Sequence, residues 1–456
     1  MDASLYFDRC LDQLQGAAEQ LGGDPSSPQW RPLASMIIQA MTGPWRSFHT
    51  PEHIFDVGAC GSPVEIVAAL FHDLVYVQVD NGINLSLSRH LAHYLRETPK
   101  GIVLETSAYP DDTGLQLTLD LFGLADGQLL NPFAGQNEFL SALVAVKSMQ
   151  GLLPLDVLAR IAVCIEATIP FRAPAADGRN CCDQMLERLE KANARYALAL
   201  SPQAMRQAVA SAVRLANRDI GNFASEHPSV FLDNTWNLIP ETNHDLVNVN
   251  IYTVRGFRIA LQKMEGFLSH LNPELVFRRF DDEPDAPTHA RRLALTQRNL
   301  QVACKYLKVK LVSMGLLEAL SLRIAQDVSL ASMMGTLPIH SEPSIQLEQL
   351  LPSIASPWQP MDEHEAIVLE LLEVGRSAES AHDSKHSPVS SYILKAMGFA
   401  QTLALYDSAK AFFANPDLAE TLIAQLPADV RHGLLLALHG LFTERARVFE
   451  EADQAG

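Results

Sequence analysis

Basic residues are scarce in this chain of 456 residues: 35 Lys and Arg stand against 53 Asp and Glu, for a formal net charge of -18. A field of that sign repels polyanions at long range and argues against general nucleic-acid binding. It leaves a small anionic substrate open, because one metal ion and one or two Arg reverse the potential inside a single pocket. Cysteine is sparse too. Cys10, Cys60, Cys164, Cys181, Cys182 and Cys304 contain no Cys-x-x-Cys pair and no spacing of a disulfide framework or zinc knuckle, so they read as reduced, mostly buried thiols. No apolar run reaches about 18 residues, which excludes an expected membrane span. The start, Met1-Asp2-Ala3-Ser4-Leu5, lacks the basic and apolar stretches of a secretory signal, and the cytoplasm is the expected compartment. Aromatics make up only 7% and β-branched runs are few, while Leu, Ala, Gln and Glu abound, so the expected fold class is all-α.

Hydrophobic residues make up 48% of the chain, enough for a sizeable core, and the length predicts two domains or one large domain with an appendage. Helical spacing of apolar residues runs over 5–21, 32–42, 50–60, 63–77 and 84–97. The stretch 98–135 is rich in Gly and Pro and reads as a loop excursion with one short helix near 115–122. Helical periodicity resumes over 137–150, 154–168, 180–198, 202–225 and 243–270. An acidic, Pro-containing stretch at 281–287 then suggests a boundary near 280. This places one helical domain in 1–280 and a C-terminal helical region in 281–456, with helices at 288–334, 362–375, 389–413 and 428–452. The segments 336–361 and 376–388 read as connectors. The C-terminal helices are candidates for a homo-oligomer interface, pocket cover or partner-docking surface, and their sequence shows no chemical motif.

Chemistry is concentrated in three segments. In Arg46-Ser47-Phe48-His49-Thr50-Pro51-Glu52-His53, two imidazoles stand four residues apart, and Thr50-Pro51 reads as the N-cap and first position of a helix. In Val67-Ala68-Ala69-Leu70-Phe71-His72-Asp73-Leu74, an apolar helix is interrupted by adjacent imidazole and carboxylate groups. A buried carboxylate stays charged only when paired or coordinated, and a divalent cation between His72 and Asp73 meets that need. The third segment, Leu215-Ala216-Asn217-Arg218-Asp219-Ile220, sets Asp219 in another apolar helix, where it can complete the shell. Two His and two Asp suit one or two divalent ions such as Mn, Fe, Co, Ni or Mg, with Zn also admitted. An ion of this kind polarises a phosphoryl oxygen and acidifies a bound water, which points to hydrolysis of a phosphate ester. Arg46 is a candidate contact for a substrate phosphate. Glu138 and Glu166, in partly apolar helices, are second-tier candidates for orienting water or a ligand histidine, with a cap or salt bridge as the competing explanation. His382-Asp383, in a polar connector, reads as solvated.

Over roughly 45–225 these segments resemble the HD-domain metal-dependent phosphohydrolase superfamily, whose pattern is a His, a His-Asp doublet and a distant Asp on the helices of one bundle. Phe48-His49-Thr50-Pro51-Glu52-His53 is similar to the His-x-x-x-His segment of cyclic nucleotide phosphodiesterases and of small bacterial HD hydrolases. The resemblance implies an HD-type helical bundle, His53, His72, Asp73 and Asp219 as metal ligands, Asp73 as a catalytic carboxylate, and His49 as proton donor to the leaving oxygen. The Gly-Tyr-Pro signature of cyclic dinucleotide hydrolases and the downstream Glu-Asp pair of alarmone hydrolases are missing. The implied activity is hydrolysis of a small phosphorylated substrate, a nucleotide or related phosphomonoester or phosphodiester. The alternative is a catalytically weak or inactive HD fold that binds a ligand or protein partner as a scaffold.

Overall fold

The computed structural model describes residues 3–247, 252–335, 345–378 and 383–454. Helix dominates: 67% of the chain is helical, and the described residues hold 20 α-helices and one two-stranded sheet, so the fold is all-α. None of these helices is long and apolar enough to cross a membrane. The chain forms two compact units, one of residues 1–224 with 272–296 and the other of 225–271 with 297–456. A single cut near 280 therefore does not describe the division. The chain leaves the first unit at 224 and returns to it at 272.

The first unit contains α1 (Ala3–Gln20), α2 (Trp30–Met41), α3 (Pro51–Gly58), α4 (Pro63–Phe71), α5 (Val77–Asp80) and α6 (Leu85–Leu91). The strands β1 (Leu95–Thr98) and β2 (Gly101–Leu104) follow, and then α7 (Thr113–Phe122), α8 (Gln136–Met149), α9 (Leu155–Ala167), α10 (Cys181–Tyr196) and α11 (Pro202–Asp219). α9 is the centre. It is buried around nearly its whole circumference, from Val157 and Leu158 to Cys164 and Ile165, and packs against α4, α7, α8, α10 and α11. A helix apolar on all sides belongs in a core, where each buried Leu, Ile or Val contributes roughly 1.5–3 kcal/mol. α4 packs on α1, α3, α8 and α9, which puts the end of the Ala69-Leu70-Phe71 run deep inside the unit.

Local signals set several of these boundaries. Ser62 caps α4 by accepting the Glu65 N–H, with Pro63 in the first turn, and Ser201 caps α11 by accepting the Ala204 N–H, with Pro202 in the same place. Thr50 occupies the N-cap position of α3 with extended backbone, yet its side chain makes no cap hydrogen bond. α4 stops at Phe71 and does not run to 77, and the helix expected over 84–97 ends at Leu91, after which β1 pairs antiparallel with β2. The hairpin turns through Pro99-Lys100-Gly101, and Gly101 has φ +124°, a backbone region closed to most other residues.

The second unit contains α12 (Pro228–Thr242), α13 (Val254–His270), the portion of α14 (Ala286–Ser321) from 297 onward, α15 (Leu330–Met334), α16 (Leu347–Leu350), α17 (Glu363–Glu373), α18 (Pro388–Ala414), α19 (Ala419–Ala424) and α20 (Ala428–Gln454). The helix expected from 243 begins at Val254; residues 248–251 of that stretch lie outside the described residues, as do 336–344 and 379–382 of the two connectors. His382 falls among them. Asp383, expected to be solvated, is half-buried and paired instead: it accepts from Lys310 Nζ and Trp236 Nε1, both at 2.8 Å.

Candidate metal centre

The turn after α4 is built to hold a polar pair inside an apolar core. An uninterrupted helix would give the Asp73 and Leu74 carbonyls to N–H groups one turn later. Instead Arg46 Nη1 donates to the Asp73 carbonyl at 2.7 Å and Nη2 to that of Leu74 at 3.3 Å. The freed N–H groups go to α8: Val75 N–H donates to Ser141 Oγ at 3.0 Å and Val77 N–H to Asn137 Oδ1 at 3.2 Å. Every exchange satisfies a buried backbone group that the interrupted helix would otherwise strand.

Arg46 is therefore not placed to receive a substrate phosphate. Its side chain is fully buried, and its remaining N–H groups reach Asp80 Oδ1 and Oδ2 at 3.1 and 2.7 Å and Met41 Sδ at 3.2 Å. All five donors of the guanidinium face protein acceptors, and its role is to fold the turn that carries His72 and Asp73.

Four of the expected residues meet at one point. One ligand atom each from His53, His72, Asp73 and Asp219 lies within 4.8 Å of all the others. His53 Nε2 stands 3.1 Å from Asp219 Oδ1 and 3.3 Å from Asp73 Oδ2; His72 Nε2 stands 2.9 Å from Asp73 Oδ2 and 3.4 Å from Asp219 Oδ1. α3 supplies His53, the end of α4 supplies His72 and Asp73, and the last residue of α11 supplies Asp219. The neighbouring Arg218 anchors α11 here, donating to the Val57 carbonyl and to Glu65 Oε2, both at 2.7 Å.

The fit to a cation can be tested on atoms. His72 Nε2 and Asp73 Oδ2 are buried and, although 2.9 Å apart, do not meet the geometry of a hydrogen bond. His72 Nδ1 donates to the Ala69 carbonyl at 2.8 Å, which leaves the lone pair of the neutral ring on Nε2, facing the cluster. Donors about 2.1 Å from a common ion sit about 3.0 Å apart when octahedral neighbours and about 3.4 Å apart when tetrahedral. The four His–Asp separations, 2.9–3.4 Å, span that interval. The cluster can hold a metal ion.

Its electrostatics show the same need for a cation. Burial works to lower the pKa of His53, but hydrogen bonds and charge from Asp219 and Asp73 outweigh it and lift the imidazole to about 9. His72 moves up strongly by the same contest, with burial opposed by the charges of Asp73 and Asp219. Burial would raise the carboxylates, yet His72 and His49 hold Asp73 well below its usual range, and His72 and His53 bring Asp219 to about 2. Protons on the imidazoles thus occupy the electrostatic place of a cation.

His49 lies outside this set, with Nε2 4.0 Å from Asp73 Oδ2 and its ring edge-on to Phe48 and Tyr76, each 4.9 Å between centroids. Glu138, near the start of α8, feels the cluster: burial first, then the charges of Asp73 and Asp219, raise its carboxyl to about 7. Glu166 is not placed to orient water or a ligand histidine. It is buried in a salt bridge, receiving Arg172 at 2.6 Å and also Arg188.

Sequence reasoning missed Asn137, Ser141 and Asp80, which hold the turn, and the arginines around Glu166. Ser141 alone carried a signal, as a lone hydroxyl in the buried run from Phe139 to Val146. Set against protein-family models, curated proteins and solved structures, the chain matches none.

Proposed function

We propose that the chain is a metal-dependent hydrolase of a small phosphate ester, a nucleotide or related phosphomonoester or phosphodiester. The observation that carries this reading is the convergence of four His and Asp ligand atoms within 4.8 Å of one another, two of which, His72 Nε2 and Asp73 Oδ2, are buried without a hydrogen bond. The resemblance of the three motif segments to HD-domain phosphohydrolases supports it. Mn, Fe, Co, Ni, Mg and Zn are all compatible with a mixed nitrogen and oxygen set. A divalent ion held by His53, His72, Asp73 and Asp219 supplies Lewis acidity toward a phosphoryl oxygen and toward water.

The protein's own groups do the rest. Asp73 presents its Oδ2 to the cluster, 4.0 Å from His49 Nε2, so a proton leaving the nucleophile and a proton reaching the leaving group have separate holders. Phe48 and Tyr76 each pack edge to face with the His49 ring and hold it in place. Glu138, with its carboxyl lifted to about 7, holds or releases a proton at neutral pH. That proton exchange suits it to orienting water.

The test is elemental analysis of the purified full chain together with a panel of generic phosphomonoester and phosphodiester substrates. Asp73→Ala is expected to lose bound metal and turnover together. Undiminished turnover by a metal-free Asp73→Ala protein would reject the assignment, as would a wild-type protein with neither metal nor turnover, the outcome expected of a scaffold.

A further inference from the structure

Glu65, in the first turn of α4, is only 1% exposed, and a carboxylate at that depth stays charged only when it is paired. Its Oε1 accepts from Ser62 Oγ at 3.1 Å and from Arg214 Nη2 and Nε at 2.9 and 3.2 Å, and its Oε2 accepts from Arg218 Nη2 at 2.7 Å. Arg218 makes one further bond, of different consequence: its Nε donates to the Val57 carbonyl at 2.7 Å. That carbonyl lies in the last turn of α3, where the helix has no N–H left to take it. One guanidinium thus ties α3, α4 and α11 together.

These are the three helices that supply the ligand set. Val57 follows His53 by about one turn, Glu65 precedes His72 by about two, and Arg218 is the residue before Asp219. Among the described residues, the hydrogen bonds between α3 and α11 are that of Arg218 with Val57 and the contact of His53 with Asp219 itself. A cation that takes His53 and Asp219 replaces the second, and the first is what remains. The turn between α3 and α4 is shaped for it. A Cβ on Gly61 would stand 3.0 Å from Arg218 Nη2, from Glu65 Cβ and from the Gly58 carbonyl oxygen alike, so glycine leaves the room in which the guanidinium lies. Arg214 provides a comparison within the same cluster. It too is on α11 and grips Glu65, but its other bonds go to Ser211 Oγ at 2.7 Å and Glu283 Oε2 at 3.1 Å, and none of these reaches α3.

We infer that Arg218 and Glu65 are positioning residues of the metal centre: the bridge from Val57 through Arg218 to Glu65 fixes the separation of His53 Nε2 and Asp219 Oδ1, 3.1 Å, at a value one small cation can span. This role presupposes the metal-binding reading of the cluster and no particular substrate.

The test is equilibrium dialysis of the EDTA-treated full-length protein against Mn, comparing Arg218→Gln with Arg214→Gln. Each substitution removes one positive charge from Glu65 and leaves the other, so both are expected to lower the urea midpoint. Only Arg218→Gln cuts the tie to α3. It is expected to weaken Mn binding about tenfold, the lower end of the effect of losing a group that orients metal ligands, while Arg214→Gln keeps wild-type affinity. Metal-free crystals of Arg218→Gln are expected to show His53 Nε2 and Asp219 Oδ1 farther apart than 3.1 Å. Equal Mn affinity in wild type and Arg218→Gln, or equal losses in the two arginine variants, overturns the positioning role. Should Arg218→Gln fail to fold, Gly61→Ala reaches the same bridge without removing a charge, since the added Cβ displaces the guanidinium; unaltered affinity and spacing there count equally against the role. If wild type binds neither Mn nor Zn, the metal reading falls, and a widened His53–Asp219 spacing in metal-free Arg218→Gln leaves the bridge standing. Stoichiometric metal at one affinity in every variant removes the bridge and leaves the metal centre.

Discussion

His53 is asked to be two things, a protonated partner of two carboxylates or a neutral ligand of a cation, and pH selects between them. Its folded pKa of about 9 lies above the ordinary imidazole value of 6.5. In metal-free protein, the stabilisation it contributes is therefore complete below about pH 6.5 and is lost as pH rises through about 9. A shift of that size on a side chain 11% exposed corresponds to about 3 kcal/mol at most. A metal ion reverses the dependence, because it binds the deprotonated ring and releases the proton. The difference in unfolding free energy between wild type and His53→Gln, both in EDTA, should shrink from pH 6.5 to 9.5 in urea titrations. With saturating Mn it should instead grow over the same interval. A difference independent of pH in EDTA would mean that His53 does not carry the proton that pairs the two aspartates.

At the scale of elements, the site depends on one interrupted helix, and Arg46 makes the interruption. Arg46→Met keeps much of the side-chain volume but leaves Asp80 without its partner and the Asp73 and Leu74 carbonyls without donors. Breaking a buried pair in this way costs about 3–5 kcal/mol. The variant should unfold at correspondingly lower urea and, where still folded, bind less metal, since the turn that aims Asp73 has lost its clamp. Normal metal stoichiometry and normal stability would remove Arg46 from this role. How legible each element was follows from the range of its causes. α4 and α11 were readable because Ser62-Pro63 and Ser201-Pro202 are caps written in adjacent residues. His72, Asp73 and Asp219 stood out as polar intrusions in apolar runs and His53 by its spacing from His49, so the four-donor cluster was legible in the sequence. The end of α4 at Phe71 was not, because its cause is a guanidinium 27 residues upstream of Asp73. α12 was hidden by Pro240 inside its last turn, and the four-residue strands were too short to show alternation. The arginines around Glu166 come from α10, a loop and a segment 109 residues beyond Ile169, with no pattern linking them.

For the whole molecule, the consequential feature is that the first unit is discontinuous in sequence. Residues 272–296 return to it with structural work to do: Phe280 joins its hydrophobic core, Glu283 pairs with Arg214 at 3.1 Å, and Arg278 is clamped by Asn217. The excursion 225–271 belongs to the other unit, and its buried Phe231, Trp236, Ile239, Phe257 and Leu261 require apolar partners. A fragment ending at 280, where the acidic stretch suggests a boundary, would remove Glu283 from Arg214 and strand that excursion without the remainder of its unit. Exposed apolar surface of this kind drives association. The fragment 1–280 should accordingly bind a hydrophobic dye strongly and elute as aggregate in size-exclusion chromatography, whereas the full chain should do neither. A monodisperse 1–280 fragment that keeps stoichiometric metal would show that residues 281–296 are dispensable to the first unit and that 225–271 folds without its remaining partners.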